Sequence, residues 1–348
     1  MDNIRTDVII PVYRPTEKFL RLLEMLGRQT QAVEKIIVVN TEKALWDAFP
    51  GTKGLQDRYP GLTVFHIAKQ EFDHAGTRNF GVQQSESPFF VMMTDDAIPA
   101  DTHLIQRLLK PFSDEKVGMS YARQLPAEDC GVIERYTRKF NYPEYKVTKA
   151  KEDLDRLGIK TFFASNVCAA YRREYFDRLG GFEEPAIFNE DMIYARHLID
   201  AGYSITYAAD ACVAHSHNYS GRQQFHRNFD LGVSHAQHPE VFGDISAQSE
   251  GIRLVKETAG YLCRIKKPYL VVKLIWQSGC KYLGYLLGAS SCNGKKMFHE
   301  QKLFPEITKL TKSYHRLNTI TGYTETHKQI EKAVKAAKDR EKRVLCYV

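Results

Sequence analysis

The sequence predicts an α/β fold with a mainly parallel central sheet covered by helices on both faces. Short apolar runs bounded by polar or turn residues indicate buried strands, because β-branched and aromatic residues dominate them. These runs cover residues 7–12, 35–39, 62–67 and 88–93. Helical patterns lie between them, and alternation of strands with helices is typical of a parallel sheet with both faces covered.

The first helix is predicted between the first two strands. Thr16 is the expected N-cap of this helix. Its apolar residues fall on one helical face: Phe19, Leu20, Leu22, Leu23 and Leu26. This segment completes a β-α-β unit. Two further helices are predicted over residues 76–84 and from about Asp101 onward.

The later part of the chain continues this pattern. From residue 161 onward, TFFASNVCAAYRREYFDRLGGFEE predicts a strand, a helix that ends at Gly180 and Gly181, and a loop, and one more helix and strand follow. The helix is predicted to begin at Glu190 and to end before Gly202, and the strand-like run SITYAA follows it. Beyond that strand the alternation fades. We therefore divide the chain into a main domain, residues 1–250, and a mainly helical C-terminal extension, residues 251–348. Its apolar residues, interleaved with lysines, indicate contact with a membrane surface, with another copy or with the main domain.

Composition narrows the classes of function. A chain of 348 residues with 43% hydrophobic residues can bury a large core, which argues against a disordered protein. Cysteines are widely spaced without a CxxC pair, and no secretory signal or long apolar run is present, so we expect a cytoplasmic protein, soluble or peripheral to the membrane. The net charge of +7 fits a phosphate-bearing substrate or a membrane surface, and no zinc-finger or RRM signature supports nucleic acid.

Adjacent carboxylates follow the fourth strand, where Asp95 and Asp96 come after the run FFVMM. An open sheet binds its ligands at the carboxyl ends of its strands. Carboxylate oxygens at that edge suit Mg²⁺ or Mn²⁺. The competing interpretation is that the acidic pair merely starts a turn before Pro99.

A second acidic pair, Glu190 and Asp191, begins the later helix. One of these carboxylates could remove the proton of an acceptor hydroxyl, while the other points elsewhere and supports the loop or the substrate. The structural alternative is that both acids only complement the helix dipole and satisfy free backbone N–H groups.

His215 and His217 are two residues apart in an extended segment, so both side chains can face the same side. An imidazole could complete a metal site, although a buried, hydrogen-bonded histidine is the commoner role. The nearby histidines His226, His235 and His238 suggest a zinc site as an alternative. This alternative is disfavoured because no pair of cysteines has the spacing of a structural zinc site.

Three residues are candidates for contacts with a nucleotide. Arg78 lies in a predicted helix start, where a guanidinium and backbone N–H groups can hold a diphosphate. Pro11 and Tyr13 end the first strand and could form a wall against a nucleobase. Taken singly, an ion pair and an ordinary strand end explain these residues equally well.

The motifs follow one another in the order PVYRP, VVN, GTRNFG, TDDAIPAD, GGFEE, EDMIYARHL and VAHSHNYS. In this order they resemble family 2 glycosyltransferases of the GT-A fold, over roughly the first 240 residues. Within that family, FDHAGTRN, DDAIPAD and HSHNYS are most similar to bacterial rhamnosyltransferases that build surface polysaccharides. Fold alone would leave the function open, whereas the ordered set of motifs indicates it.

The resemblance implies a role for each candidate residue. Asp191 is the catalytic base, and Asp96 and His215 hold Mg²⁺ or Mn²⁺. Donor contacts come from Pro11, Tyr13, Asn40, Arg78 and Asp95, and support for the acceptor or its loop comes from Asn166, Glu190 and His217. Thr94 replaces the first acid of the family's DxD motif, and Asn40 replaces an aspartate that often reads the nucleobase, which leaves the base preference open.

The implied reaction is inverting transfer of L-rhamnose from dTDP-β-L-rhamnose to a surface polysaccharide or a lipid-linked glycan. One alternative is a UDP-sugar-dependent member of the family that transfers a hexose, an N-acetylhexosamine or galactofuranose. Two others are a nucleotidyltransferase and a catalytically silent scaffold of glycan assembly. Dinucleotide oxidoreduction and P-loop hydrolysis are disfavoured because neither GxGxxG nor GxxxxGK[ST] occurs.

Overall fold

A computed structural model describes residues 4–243 and 248–292 of the chain. Its strands are β1 (Thr6–Tyr13), β2 (Ile36–Thr41), β3 (Leu62–Ile67), β4 (Phe89–Met93), β5 (Ile98–Pro99), β6 (Val117–Leu125), β7 (Val147–Lys149), β8 (Cys168–Arg172) and β9 (Ser204–Ala214). Its α-helices are α1 (Glu17–Leu26), α2 (Lys43–Asp47), α3 (Leu55–Arg58), α4 (His74–Gln83), α5 (Leu104–Leu109), α6 (Val132–Asn141), α7 (Leu154–Leu157), α8 (Arg173–Arg178), α9 (Glu190–Asp200), α10 (Gly221–Gln237), α11 (Pro239–Phe242), α12 (Gln248–Arg264) and α13 (Leu270–Cys292).

All of these strands belong to one sheet, in the order β3-β2-β1-β4-β8-β6-β9-β5, with β7 beside β9. Strands β3, β2, β1 and β4 are parallel neighbours, and so are β6 and β9. Strand β8 runs antiparallel between β4 and β6, and β5 and β7 run antiparallel to β9. The predicted α/β fold, with helices on a largely parallel sheet, is confirmed, and the antiparallel strands add a mixed half to it.

The sheet buries apolar side chains on both faces. Along β1, Val8 and Ile10 point to one face with α1 and α5, whereas Ile9 points to the other face with α4, α8 and α9. Because successive side chains of a strand alternate between faces, an uninterrupted apolar strand requires helices on both sides. The candidate site therefore lies at the carboxyl-terminal edge, where polar residues replace the apolar ones.

Two helix starts show how local chemistry fixes the ends of elements. Thr16 occupies the predicted N-cap of α1, but its side chain makes no capping hydrogen bond. Helix α4 begins at His74, earlier than predicted, because the Asp73 carboxylate accepts hydrogen bonds from the backbone N–H groups of Ala75 (3.1 Å) and Gly76 (2.8 Å). Such a cap satisfies backbone donors that the first turn leaves free.

Helices α10 and α13 pack against each other through glycines. A β-carbon added at Gly284 would lie 2.3 Å from the carbonyl oxygen of Phe225, and one added at Gly288 would lie 2.0 Å from that of Phe229. On α10, Gly232 approaches the backbone of Tyr285 in the same way, at 2.3 Å from its oxygen. The C-terminal helix is therefore seated directly on the backbone of α10, at a distance that only glycine permits.

Replacing Gly288 with alanine is expected to destabilise the protein by about 1–3 kcal/mol, because the new methyl group forces two packed backbones apart. Gly279 in the same helix meets no atom within 4 Å of an added β-carbon, so Gly279→Ala is the matched control and is expected to stabilise by about 0.5–1 kcal/mol. Urea denaturation of both variants measures the difference. Equal stabilities would contradict the close packing.

Among residues 4–243 and 248–292, no helix combines the length and the apolar character needed to cross a bilayer. Cys130, Cys168, Cys212, Cys263 and Cys280 have free thiols. The predicted C-terminal extension lies outside the described residues from residue 293 onward.

Candidate active site

One carboxylate and two imidazoles converge beyond the end of β4. Asp96 Oδ1 lies 3.4 Å from His215 Nε2, and Asp96 Oδ2 lies 3.3 Å from His217 Nε2. The Nε2 atoms of the two histidines are 3.1 Å apart. One atom from each of the three side chains lies within 4.8 Å of the others, so the group has the geometry of a metal-binding triad.

A chain of hydrogen bonds orients the first of these histidines. Arg138 donates to Gln124 Oε1, and Gln124 Nε2 donates to Ser165 Oγ at 2.9 Å, which fixes the direction of the amide. His215 Nδ1 lies 3.1 Å from the same amide oxygen, so it must be the protonated nitrogen. When the imidazole is neutral, the lone pair is therefore on Nε2, the nitrogen nearest Asp96, which is the arrangement that metal-ligating histidines adopt.

The electrostatics of the triad agree with metal binding. Burial raises the pKa of Asp96, but with no cation bound a protonated His215 outweighs burial through its hydrogen bond and its charge, so the pKa of Asp96 falls below its usual range. Burial and His215 lower the pKa of His217 to about 4, against the opposing effect of Asp96. An ionised carboxylate and a neutral imidazole are the ligand forms that a divalent cation requires. Two facing Nε2 atoms are also better satisfied by a shared cation than by each other.

Asp95, next to the triad, has the opposite behaviour. Burial, followed by the negative charge of Asp96, raises its pKa to about 7. Asp95 lies at the carboxyl end of β4, as predicted, but it is not one of the three residues of the triad. Any cation bound by the triad would favour its ionised form.

The second acidic pair lies at the start of α9, where Asp191 is held by backbone donors. Its Oδ2 accepts from Asn166 N and its Oδ1 from Met192 N, both at 2.8 Å. Burial, followed by the charge of Glu190, raises the pKa of Asp191 to about 7, although both hydrogen bonds oppose that rise. A carboxylate with such a pKa accepts a proton near neutral pH more readily than an ordinary aspartate.

Glu190 is buried and paired. Its Oε1 lies 3.1 Å from Arg78 Nε and accepts from Asn166 Nδ2 at 3.0 Å. Burial raises the pKa of Glu190, but Arg78, His74 and Asn166 together lower it below the usual value. Adjacent acids in environments that push their pKa values apart are a recognised basis for dividing acid–base roles. Here Glu190 is the fixed negative charge and Asp191 the group that can exchange a proton.

Arg78 is directed at this acidic pair. Besides the contact with Glu190, it donates to the carbonyl oxygen of His74 at 2.7 Å, and the whole side chain is buried. His74 is buried as well, and burial lowers its pKa. Of the predicted acceptor and loop residues, Asn166 and Glu190 lie here, whereas His217 lies in the triad.

A single loop joins the two halves of the site. Thr94 N donates to Val167 O at 3.1 Å, which ties the end of β4 to the segment before β8. The same segment carries Ser165, which orients Gln124 toward His215, and Asn166, which binds both acids of α9. The triad and Asp191 therefore flank one short, hydrogen-bonded segment.

The predicted nucleotide contacts lie together at the ends of β1 and β2. Pro11 and Asn40 lie near the carboxyl ends of the neighbouring parallel strands β1 and β2. Tyr13 is exposed, and the Arg14 guanidinium lies 5.2 Å from the centre of its ring. Asn40 is fully buried, and its Nδ2 lies 3.0 Å from His66 Nδ1. Its Oδ1 has no hydrogen-bond partner among the described residues.

The residues that orient the candidate ligands and the loop before α9 were not predicted from the sequence. Gln124, Arg138 and Ser165 orient His215, and His74 and Asp73 brace the loop before α9, with Asp73 Oδ2 accepting from Ala186 N at 3.0 Å. None of them belongs to an acidic or histidine pair. Gln124 follows Arg123 in the segment VGMSYARQL, which lacks the pattern of a buried strand, so no sequence pattern indicated it.

Residues 7–180 match the sequence profile described as Glycosyl transferase family 2. The O-antigen chain rhamnosyltransferase RfbN of Salmonella typhimurium is 37% identical over 287 residues, which are 82% of this chain and 90% of that protein. The O-antigen chain rhamnosyltransferase WbaN of Salmonella anatum is 37% identical over 284 residues, 81% of this chain and 88% of that one.

Among solved structures, the mannosyltransferase PcManGT from Pyrobaculum calidifontis, in complex with GDP-Man and Mn²⁺, is similar in fold. Its TM-score is 0.50 at 18% identity, and the alignment covers 96% of this chain and 87% of that chain. At this identity the likeness concerns the fold alone, and it confirms the predicted fold class.

Proposed function

Because this chain belongs to glycosyl transferase family 2, we propose that it transfers L-rhamnose from dTDP-β-L-rhamnose to a growing surface polysaccharide or a lipid-linked glycan. The observation that carries the proposal is identity of 37% with two O-antigen chain rhamnosyltransferases over more than four fifths of the chain. The convergence of Asp96, His215 and His217 near Asp191 supports a catalytic protein over a silent scaffold.

In the proposed reaction Asp191 acts as the general base. It takes the proton of the acceptor hydroxyl while that oxygen attacks the anomeric carbon from the face opposite the diphosphate. The bond from the anomeric carbon to the phosphate oxygen breaks, and its electron pair leaves with the nucleoside diphosphate. A single displacement inverts the anomeric centre, so a β-linked donor gives an α-rhamnoside. Glu190 and Asn166 hold Asp191 in position.

The proposed cation site consists of Asp96, His215 and His217. A divalent cation held there would neutralise charge on the donor diphosphate. One carboxylate and two imidazoles form a more nitrogen-rich set than Mg²⁺ prefers, so we propose Mn²⁺ ahead of Mg²⁺. Pro11, Tyr13, Asn40, Arg78 and Asp95 remain the proposed donor contacts.

The test is calorimetric binding of dTDP, UDP and GDP, then of dTDP-rhamnose and UDP-hexoses, each with Mn²⁺, with Mg²⁺ and with EDTA. Metal-dependent binding of dTDP and dTDP-rhamnose is expected, followed by formation of an α-rhamnoside in a transfer assay. Preferential binding of UDP would indicate that the protein is a member of the same family that transfers a sugar other than rhamnose. Failure to bind any nucleotide would favour the scaffold.

The activity is expected to depend on pH through Asp191. Because the base must be ionised and its pKa is raised to about 7, kcat/KM should fall as pH decreases through that value. A pH–rate profile at saturating Mn²⁺ measures this limb. With no cation bound, burial and the charge of Asp96 raise the pKa of Asp95 to about 7 as well, so the profile of Asp95→Asn separates the two groups. Loss of the limb in that variant would assign it to Asp95.

We also propose that residues 1–250 form the catalytic domain and residues 251–348 a helical extension that works at the inner face of the cell membrane. Exposed apolar side chains lie on α13 and on the residue before it: Tyr269, Val272, Ile275, Trp276, Tyr282 and Leu283. The exposed basic residues Arg264 and Lys266 precede the helix. Such a surface suits an anionic membrane or a second copy of the chain. Flotation with anionic vesicles and sedimentation analysis separate these two partners.

A further inference from the structure

Cations from three helices lie beside the candidate metal ligands. Arg138 of α6 donates to Gln124, the residue that orients His215. The Arg227 guanidinium of α10 lies 5.2 Å from the ring centre of Tyr219 and 5.0 Å from that of Phe188. The Tyr219 ring in turn stacks on the ring of His217 at 4.9 Å. Together with Lys281 of α13, they form what we call the three-cation cluster.

The position of Lys281 follows from the packing of α13. One turn earlier, Gln277 Nε2 donates to the carbonyl oxygen of Tyr219 at 2.9 Å. Just after it, Gly284 rests on the backbone of Phe225. Lys281 lies on the same helical face, between these contacts, and is directed toward α10 and the loop of Tyr219. Burial, opposed by Glu134 and reinforced by Arg227 and Arg138, lowers its pKa, as expected of an ammonium group close to both guanidinium groups.

The cluster carries more positive charge than its own acid neutralises. Glu134 Oε1 pairs with Arg138 Nε at 2.7 Å. The side chains of Arg227 and Lys281 make no hydrogen bond or ion pair with the residues in 4–243 and 248–292. Arg227 is exposed, but Lys281 is partly buried, and a partly buried ammonium group beside two guanidinium groups is unfavourable unless an anion is bound nearby. Two aromatic rings also hold the guanidinium of Arg227 in place while leaving its N–H groups available.

We propose that Arg138, Arg227 and Lys281 form a diphosphate-binding wall of the active site, so that the C-terminal helix α13 supplies a ligand-binding residue. The inference rests on the proposed function and names the part of the substrate that this wall binds. The proximity of Tyr219 to His217 favours the diphosphate of the nucleotide donor. The diphosphate of a lipid-linked acceptor has the same chemistry and is the second source.

The wall has a consequence for the reaction. When the bond between the anomeric carbon and the phosphate oxygen breaks, the electron pair stays on the diphosphate, which gains one negative charge, while the acceptor proton goes to Asp191. Fixed cations therefore bind the departing nucleoside diphosphate more strongly than the intact donor. That difference is the kind of interaction that accelerates a reaction.

The test compares the binding of dTDP and dTMP in Mn²⁺ for the full chain and its variants. Lys281→Met keeps the side-chain length but removes the charge, and it is expected to weaken dTDP binding about tenfold and dTMP binding by less than about twofold. Lys281→Arg should restore most of the affinity. Lys273→Met, on the exposed face of the same helix, is the matched control and should behave like the wild type. Arg227→Met tests the wall from a different helix.

The acceptor arm uses a neutral rhamnoside and a diphosphate-linked glycan. An approximately tenfold higher KM for the diphosphate-linked acceptor alone, with unchanged dTDP affinity, would assign the wall to the acceptor. The inference is overturned if neither diphosphate ligand is affected, or if dTMP and dTDP weaken equally. A wild-type chain that binds no nucleoside diphosphate would overturn the proposed function itself.

Discussion

Replacing Asp191 with asparagine is expected to lower kcat by about 10²–10⁴-fold, the usual contribution of a general base. The amide cannot take the acceptor proton, although its oxygen can still accept one of the backbone hydrogen bonds that Asn166 and Met192 donate to the carboxylate. The measurement is turnover at saturating dTDP-rhamnose, acceptor and Mn²⁺.

Two controls make this result specific. The affinity of Asp191→Asn for dTDP-rhamnose should stay within about twofold of the wild type, because the donor is held by other residues. Asp200→Asn, at the far end of the same helix, removes an exposed carboxylate paired with Arg196 and should leave turnover unchanged. Near wild-type turnover of Asp191→Asn would remove Asp191 from the role of base.

Replacing Asp96 with alanine is expected to weaken dTDP binding in Mn²⁺ by about 100-fold or more, because loss of an outer partner of a metal ligand alone costs about 10–100-fold in metal affinity. Asp96 provides the carboxylate of the triad, and without it only the two imidazoles would remain to hold a cation. Calorimetric titration of dTDP with Mn²⁺ measures the loss.

The same titration in EDTA should show little difference between Asp96→Ala and the wild type, because the metal contribution is absent from both. Asp101→Ala is the matched control, since that carboxylate also follows β4 but pairs with Arg107 at 2.6 Å, outside the triad. Equal dTDP affinities of Asp96→Ala and the wild type in Mn²⁺ would show that Asp96 does not hold the cation.

The buried strands β1 to β4 were predictable because each is a short apolar run, rich in β-branched or aromatic residues and bounded by polar or turn residues. Strand β6 was not predicted, since its sequence VGMSYARQL is poor in β-branched residues and includes Arg123 and Gln124. The antiparallel position of β8 between β4 and β6 was equally hidden, because pairing between distant segments leaves no local pattern.

The candidate ligands were predictable to the extent that they form pairs in the sequence. Asp96 and His215 were expected to share a site, and the structure places them 3.4 Å apart with His217 added. Arg138, Arg227 and Lys281 gave no such signal, because single basic residues on helices usually lie on solvated faces. Their convergence depends on how α13 packs on α10, which only the three-dimensional arrangement reveals.

The seating of α13 on α10 also determines when the site can form during synthesis. The chain leaves the ribosome from its N-terminus, so the strands and the acids of α9 emerge well before Gly284 and Gly288. Until α13 has emerged, Gln277 cannot donate its hydrogen bond to the loop of Tyr219, and Lys281 is missing from the three-cation cluster. A nascent enzyme should therefore fold its sheet early but acquire activity only after α13 is released. Polypeptides that terminate between α10 and α13 should be inactive even when their sheet is folded.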